Sequence, residues 1–253
     1  MSGPVAFGSN AIVVPVGDRV LRMSPPGREV EEQVRALRFW DGRGMVLLYD
    51  ADVDAGAMLL ERLSTPLTTR PVDEAVAVLG QLMRRLAVPP PEDALSTADV
   101  VAERSAGLER EWERLDRPFD VGILRAALAV APALTEPTAD LAVDGDLHSD
   151  QVLAGTREPW LTVDPVLLRG DIEYDLARIL WTRLDEMTDI VGYFDLAVHE
   201  AALDRDRAHD WVAYRTVDYW LWGLSVGLTE DPSAAPACST PSPSGPGRSR
   251  ESR

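Results

Sequence analysis

The side chains best suited to chemistry are concentrated between residues 141 and 165, in the segment LAVDGDLHSDQVLAGTREPWLTVDP. Asp146 follows a short apolar run typical of a strand, Asp164 ends another, and Gln151 lies between them. Phosphoryl transfer can use such a set, because one carboxylate can accept the proton of an attacking hydroxyl while amide and carboxylate oxygens hold Mg²⁺ against nucleotide phosphates. We therefore predict Asp146 as the catalytic base and Gln151 with Asp164 as metal ligands.

This segment resembles the aminoglycoside phosphotransferases, small-molecule kinases related to the protein kinases. Their loop reads His-Gly-Asp with an Asn five residues on, and here the frame reads Asp144-Gly145-Asp146 with Gln151. The runs WLTVDP and GDIEYDLA, at 160–165 and 170–177, resemble most closely the streptomycin 6-phosphotransferase branch, the aminoglycoside/hydroxyurea resistance kinases. The resemblance implies a protein-kinase-like α+β fold with two lobes: a small antiparallel-sheet N-lobe with one helix, and a mainly helical C-lobe.

Charge and composition narrow the partners. The formal net charge of −17 argues against nucleic acid, which needs a basic surface, and favours a small cationic hydroxylated substrate. No apolar run approaches the ~20 residues of a membrane span, and no signal-peptide pattern opens the chain, so we expect a cytoplasmic protein with no membrane partner. Lysine is absent, which excludes a P-loop and makes arginine the only choice for a phosphate clamp.

Residues 1–63 are predicted to form the N-lobe. By the resemblance, Ser9 and Asn10 would lie in the loop over the nucleotide phosphates, and Arg22 would present a cation where the family usually has lysine. The backbone of Glu61 to Leu63 would form the hinge that holds the nucleotide base, with ATP or GTP as phosphate donor.

A helix is predicted over Arg28–Trp40, where apolar residues recur near a 3.6-residue period. In the kinases this helix supplies an acid that orients the phosphate-binding cation, and here the position carries Gln33, with Glu31 and Glu32 beside it. Arg22 could pair with a shifted acid, the pair could be lost, or the acids could form a solvated face.

Residues 64–230 are predicted to form the C-lobe with the catalytic loop, and 231–253, rich in Ser, Pro, Gly and Arg, a disordered tail. A strand is predicted over Met45–Tyr49 in the N-lobe. In the C-lobe, helices are predicted over Val72–Leu86, with Pro71 as its start signal, over Val121–Leu134, and, as one continuous helix, over Ile172–Met187.

Other polar residues near this segment receive supporting roles from the resemblance. His148 and Asp175 would support the catalytic loop, and Asp144 stands where the family has its loop histidine. Four acids, each also compatible with an ordinary surface charge, lie where the family gathers acids for cationic substrates: Asp171, Glu173, Asp185 and Glu186.

Two other functions would fit parts of the sequence: a metal-dependent phosphoesterase and a degenerate kinase. A metal-dependent phosphoesterase would need several more His and Asp ligands, and only two His remain outside the loop. A degenerate kinase that binds nucleotide without turnover is suggested by four departures from the family pattern, at Arg22, Gln33, Asp144 and Gln151. The preferred hypothesis is an ATP- or GTP-dependent, Mg²⁺-requiring O-phosphotransferase acting on a small, aminoglycoside-like molecule.

Overall fold

A computed structural model describes residues 6–7 and 11–228. Its N-lobe is an antiparallel five-stranded sheet with strand order β1-β2-β3-β5-β4 and one helix. The elements are β1 (Ala6–Phe7), β2 (Ile12–Val16), β3 (Arg19–Met23), α1 (Arg28–Trp40), β4 (Leu48–Asp52) and β5 (Ala57–Glu61).

A tight hairpin sets the register of this sheet. β2 and β3 are joined by two residues, Gly17 and Asp18, and Gly17 has the positive φ of 65° that such a turn requires at its first position. The resulting register pairs Arg22 on β3 with Val13 on β2 and with Met58 on β5. The candidate phosphate-binding cation therefore comes from a central strand, where its backbone is fixed on both sides.

The C-lobe is mainly helical, with short strands around the catalytic segment. Its helices are α2 (Val72–Leu86), α3 (Thr97–Arg114), α4 (Val121–Leu134), α5 (Leu176–Trp181), α6 (Ile190–Ala201) and α7 (Arg205–Ser225). Its strands are β6 (Leu95–Ser96), β7 (Leu141–Val143), β8 (Val152–Ala154), β9 (Trp160–Thr162) and β10 (Leu168–Gly170). β8 and β9 form an antiparallel hairpin, and β6, β10 and β7 form a second small sheet in that order. The predicted kinase-like, two-lobed α+β fold is confirmed.

The hydrophobic core anchors the catalytic segment from both ends. One cluster of buried side chains joins α2, α5 and α6, and it includes Leu147 and Val152, which flank the candidate loop and are fully buried. A second cluster joins α3, α4 and α7, with Trp211 and Tyr214 fully buried. Because each fully buried side chain of this size stabilises the fold by about 1.5–3 kcal/mol, the loop between Leu147 and Val152 is firmly held.

Two predicted elements differ from the structure. The strand predicted at Met45–Tyr49 is found at Leu48–Asp52, because the backbone before it pairs with the other lobe: Val46 N–H donates to Thr162 O (2.9 Å). The single helix predicted over Ile172–Met187 is broken into α5 and two flanking 3₁₀ turns. It stops after Trp181, since the backbone of Arg183 leaves helical geometry (φ −129°, ψ 36°). The Arg183 side chain donates from Nη1 to the carbonyl of Arg70 (2.9 Å).

The division after residue 63 remains our working boundary, since β5 ends at Glu61 and a 3₁₀ turn at Leu67–Thr69 leads into α2. The tail predicted at 231–253 lies outside the described residues. Within the described part of the chain, no helix is long and apolar enough to cross a membrane.

Arg157, at the tip of the β8–β9 hairpin, fastens the two lobes together. Its guanidinium donates to the carbonyl of Met45 (2.8 Å) and to Glu61 Oε2 (3.1 Å). The same Glu61 oxygen accepts Leu47 N–H (3.2 Å), and Glu61 is buried. The β8–β9 hairpin is thereby tied to β5, the strand that leads into the predicted hinge.

Replacing Arg157 by Ala is expected to lower the free energy of unfolding by about 1–3 kcal/mol, because it removes the cationic partner of the buried Glu61 and the side-chain donor to the carbonyls of Met45 and Gly42. Chemical denaturation measures the change. Arg28→Ala, which breaks an exposed ion pair with Glu32, is the control and is expected to cost less than about 0.5 kcal/mol. Equal losses in the two variants would contradict the fastening role.

Candidate active site

A cavity of about 220 Å³ lies between the N-lobe sheet and the β8–β9 hairpin. Its walls are largely apolar, and its charged lining consists of Glu61 and of the ion pair between Arg22 and Asp164, which we call the charged end of the cavity. The apolar lining comprises Val13, Val20, Val46, Leu60 and Leu63 from the N-lobe and Leu153 and Val163 from the C-lobe. A narrow apolar slot with charges at its end suits a nucleotide, whose flat base is apolar on its faces and whose phosphates are anionic.

Arg22, Gln33 and Asp164 form a connected group at the charged end. The Arg22 side chain donates from Nη1 to Gln33 Oε1 (2.6 Å) and pairs through Nη2 with Asp164 Oδ1 (2.9 Å). Gln33 Nε2 donates to the same Asp164 oxygen (3.1 Å). The partner of Arg22 on α1 is therefore Gln33 itself, while Glu32 pairs with Arg28. A neutral amide orients the guanidinium without adding a second negative charge beside that of Asp164.

Gln151 and Asp164 are brought together by the start of the β8–β9 hairpin. Val163 N–H donates to Gln151 O (2.8 Å), so the residues at the ends of the two strands are adjacent. Asp164 takes a left-handed backbone conformation (φ 54°), which aspartate tolerates better than most residues and which turns the chain sharply after β9. The two predicted metal ligands therefore lie at one end of one hairpin.

The oxygen of Gln151 fits a metal ligand. Its Nε2 donates to Asp146 Oδ2 (3.0 Å), the orientation that avoids repulsion between two oxygens, while Oε1 is buried and has no hydrogen-bond partner among the described residues. Asp164, whose side chain is partly exposed, is the carboxylate beside it. The described residues contain no cluster of three His, Cys, Asp or Glu able to hold a metal. An amide oxygen and one carboxylate suit Mg²⁺, which keeps waters and takes further ligands from substrate phosphates.

Asp146 presents a partly exposed carboxylate held by two donors. Arg178 Nε donates to Oδ1 (2.8 Å) and Gln151 Nε2 to Oδ2 (3.0 Å), and the side chain remains 37% exposed. His148 lies behind it, with Nε2 3.3 Å from an Arg178 nitrogen and Nδ1 3.2 Å from Asp150 Oδ2. Sequence reasoning missed Arg178. Its signal is its position directly after the YDLA phrase, one helical turn from Asp175.

Beneath the loop lie two buried carboxylates, Asp144 and Asp175. Asp144 accepts the N–H of Val166 (3.3 Å), and burial raises its pKa to about 8. Asp175 accepts the N–H of Gly145, and burial together with the nearby Asp144 raises the pKa of Asp175 well above its usual value. Gly145 has φ 74°, and a Cβ there would lie 3.0 Å from the carbonyl oxygen of Val166, so only glycine fits. These contacts agree with loop-supporting positions for both acids.

The predicted substrate acids separate into two groups. Asp171 is fully buried and accepts hydrogen bonds from Thr138 N–H (2.8 Å), Arg207 Nε (2.8 Å) and Trp211 Nε1 (3.1 Å), and Glu173 is also buried. We expected Asp171 and Glu173 to contact a cationic substrate at the surface. Their burial inside the C-lobe corrects this expectation. Asp185 and Glu186 are exposed. Both interact with Arg183, as does Asp150, which places these acids beside the loop.

The hinge prediction is narrowed by hydrogen bonding. The N–H of Glu61 donates to Leu47 O (2.9 Å) and the N–H of Arg62 to Asp18 O (3.3 Å), so neither donor is free for a nucleotide base. The Glu61 carbonyl and the Leu63 N–H, two residues apart along an extended chain, stay predicted for base recognition. Ser9 and Asn10 lie outside the described residues, so their predicted phosphate contacts remain predictions.

The chain is similar to known proteins of one kinase family. A family model described as aminoglycoside/hydroxyurea antibiotic resistance kinase matches residues 4–227. The chain is 37% identical over 244 residues to streptomycin 6-kinase of Streptomyces griseus, covering 90% of this chain and 79% of that protein. It is also 37% identical over 242 residues to hydroxyurea phosphotransferase of Kitasatospora aureofaciens, covering 90% and 70%.

A solved structure of aminoglycoside phosphotransferase APH(4)-Ia, in ternary complex with ADP and hygromycin B, matches with a TM-score of 0.65 at 17% identity, over 94% of this chain and 92% of that one. The fold is kinase-like, and the family match and these relatives define a phosphotransferase with a hydroxyl group as acceptor. The chain belongs to the aminoglycoside/hydroxyurea antibiotic resistance kinase family.

The raised pKa of Asp144 predicts a pH-dependent stability. A carboxyl with a pKa near 3.8 when unfolded and about 8 when folded stabilises the fold below pH 4, and this stability is lost as the pH rises towards 8. Asp144→Asn removes the ionisation, so its melting temperature relative to wild type is expected to rise between pH 5 and pH 9.

Glu186→Gln is the control, because the Arg183 guanidinium lowers the pKa of Glu186 and keeps its charge throughout this range, so the contribution of Glu186 is constant above pH 5. Thermal unfolding of the three proteins at both pH values decides the question. A pH-independent offset for Asp144→Asn would show that this carboxyl does not titrate in the range.

Proposed function

We propose that this chain transfers the γ-phosphate of ATP, held with Mg²⁺, to a hydroxyl of a small cationic aminoglycoside such as streptomycin. The observation that carries the proposal is the convergence of Asp146, Gln151 and Asp164 at one end of the β8–β9 hairpin, where Asp164 and its partner Arg22 also line the apolar cavity. The family of the chain and its streptomycin 6-kinase relatives support the same reaction.

The donor side follows from the charged end of the cavity. The Glu61 carbonyl and Leu63 N–H would hold the base between the apolar walls, and the phosphates would then reach Arg22. Gln151 Oε1 and Asp164 would hold Mg²⁺, which neutralises phosphate charge and orients the transferred group. Because Asp164 pairs with Arg22, binding of the nucleotide would exchange this ion pair for contacts of Arg22 with phosphate and of Asp164 with metal.

On the acceptor side, the exposed oxygen surface of Asp146 is the group positioned to accept a hydroxyl proton. Both of its oxygens carry one donor, which leaves lone pairs for the acceptor hydroxyl. Catalysis of this kind depends mainly on position and charge, so a carboxylate held by two donors suits the role. The exposed acids Asp150, Asp185 and Glu186 would attract the ammonium or guanidinium groups of the acceptor, as would the net charge of −17.

The alternative is a degenerate kinase that binds nucleotide only. The departures at Arg22 and Gln33 compensate each other by hydrogen bonding, and Gln151 retains an unpartnered oxygen for metal, so we place the active reading first. Hydroxyurea is the second acceptor to test, since a relative of equal identity is a hydroxyurea phosphotransferase. A cytoplasmic location and the absence of a nucleic-acid partner remain predictions from the sequence.

The test measures ADP release and phosphorylated product with streptomycin, hydroxyurea and choline as separate acceptors, with ATP and Mg²⁺. We expect turnover with streptomycin and a loss of about 10²–10⁴-fold in kcat for Asp146→Asn. Asp140→Asn, directly before β7, is the control and is expected to retain activity within a few-fold, because Asp140 pairs with Arg169 and not with a residue of the candidate site.

A thermal shift, taken together with the turnover assay, separates an active kinase from a degenerate one. ATP with Mg²⁺ at about 100 times its Kd should add about 2.7 kcal/mol to stability in either case. Stabilisation by nucleotide together with no product from any acceptor would favour the degenerate kinase, and equal turnover by Asp146→Asn and wild type would end the catalytic assignment.

A further inference from the structure

Arg178 on α5 is the one cation that contacts both Asp146 and His148 within the described residues. We propose that Arg178 is a positioning residue that fixes the carboxylate of Asp146 towards the acceptor hydroxyl. The inference rests on the proposed phosphotransfer and adds to it a residue outside the catalytic loop, contributed by the helix that follows.

The geometry at Asp146 is that of a carboxylate clamped from two sides. Arg178 Nε holds Oδ1 and Gln151 Nε2 holds Oδ2, so rotation about the bond to the carboxylate would break one contact or both. Without these donors the terminal torsion of aspartate is broad, and the two oxygens would sample many directions. Since Gln151 is also a proposed metal ligand, Arg178 is the donor that depends on neither metal nor nucleotide.

Arg178 is itself held by its surroundings. Its side chain is only 17% exposed, and its guanidinium carbon lies 5.7 Å from the centre of the Tyr219 ring. Tyr219 in turn stacks on the buried Trp181 at 4.4 Å and 18°. A second nitrogen, Nη2, lies 3.3 Å from His148 Nε2. Contacts with α5 and α7 therefore fix the position of the guanidinium, and its hydrogen bond to Asp146 in turn fixes that side chain in the catalytic loop.

The use of two different nitrogens explains why arginine suits this place. Nε contacts Asp146 while Nη2 faces His148, and a lysine, with a single ammonium at the end of a flexible stem, cannot reproduce both directions. Because Arg178 is not among the residues that line the donor cavity, loss of Arg178 is expected to affect the acceptor step and to leave nucleotide binding unchanged.

Steady-state kinetics of Arg178→Ala and Arg178→Lys test the proposal. We expect kcat to fall about 100-fold in Arg178→Ala, as for a misplaced catalytic group, with the KM for ATP within about twofold of wild type. Guanidinium chloride, added at a non-denaturing concentration, is expected to raise the kcat of Arg178→Ala to at least about a tenth of the wild-type kcat. The ion can occupy the vacated site beside Asp146. Arg178→Lys is expected to recover activity only in part.

Arg169→Ala is the matched control, since Arg169 also holds both oxygens of one carboxylate, Asp140, but lies away from the cleft. It is expected to keep wild-type kcat and to show no response to guanidinium. An unchanged kcat in Arg178→Ala, a rise in the KM for ATP that accounts for the whole loss, or an equal response of both variants to guanidinium would overturn the proposal.

A second measurement keeps the inference separate from the proposed function. The melting temperatures of Arg178→Ala, Asp146→Asn and the double variant form a cycle that does not depend on turnover. If wild type phosphorylates no acceptor, the proposed function fails, and the inference stands only if the shifts are non-additive. Additive shifts would show that the two side chains do not hold each other and would overturn the inference even in an active enzyme.

Discussion

The active site depends on the pairing of two short strands, β8 and β9. The hydrogen bond from Val163 N–H to Gln151 O places the two strand ends side by side, and the sharp backbone turn at Asp164 follows directly. The 3₁₀ turn at Ser149–Gln151 then sets the Gln151 amide against Asp146. A slip of one residue in this hairpin would send the side chains to the opposite face, so its register is the constraint on which the chemistry depends.

The charge arrangement at the nucleotide end follows from the absence of lysine. An arginine presents several donors in a fixed plane, so Arg22 can hold the Gln33 amide with one nitrogen and the Asp164 carboxylate with another. With glutamate at position 33, two acids would share one cation, and part of its charge would be cancelled before any phosphate arrived. The neutral Gln33 therefore belongs with Arg22, and the two departures from the family pattern are best read as one change.

Much of this architecture could be predicted from the sequence where local signals agree. Helices α1, α2 and α4 have the predicted bounds, because an apolar stripe and flanking breakers such as Pro71 specify them locally. Arg178 could not be assigned, because its partner lies 32 positions away and only the fold brings them together. The same holds for Asp171: its sequence context suggests an exposed acid, while Arg207 and Trp211 bury it. Long-range partners determine burial, and a single sequence does not contain them.

The most direct test of the account is a crystal structure with Mn²⁺ and a non-hydrolysable ATP analogue, measured at the manganese absorption edge. The account predicts one anomalous peak about 2.1 Å from both Gln151 Oε1 and an Asp164 carboxylate oxygen, with the Arg22 guanidinium turned from Asp164 to the phosphates. A metal bound with the nucleotide but lacking either protein ligand would contradict it.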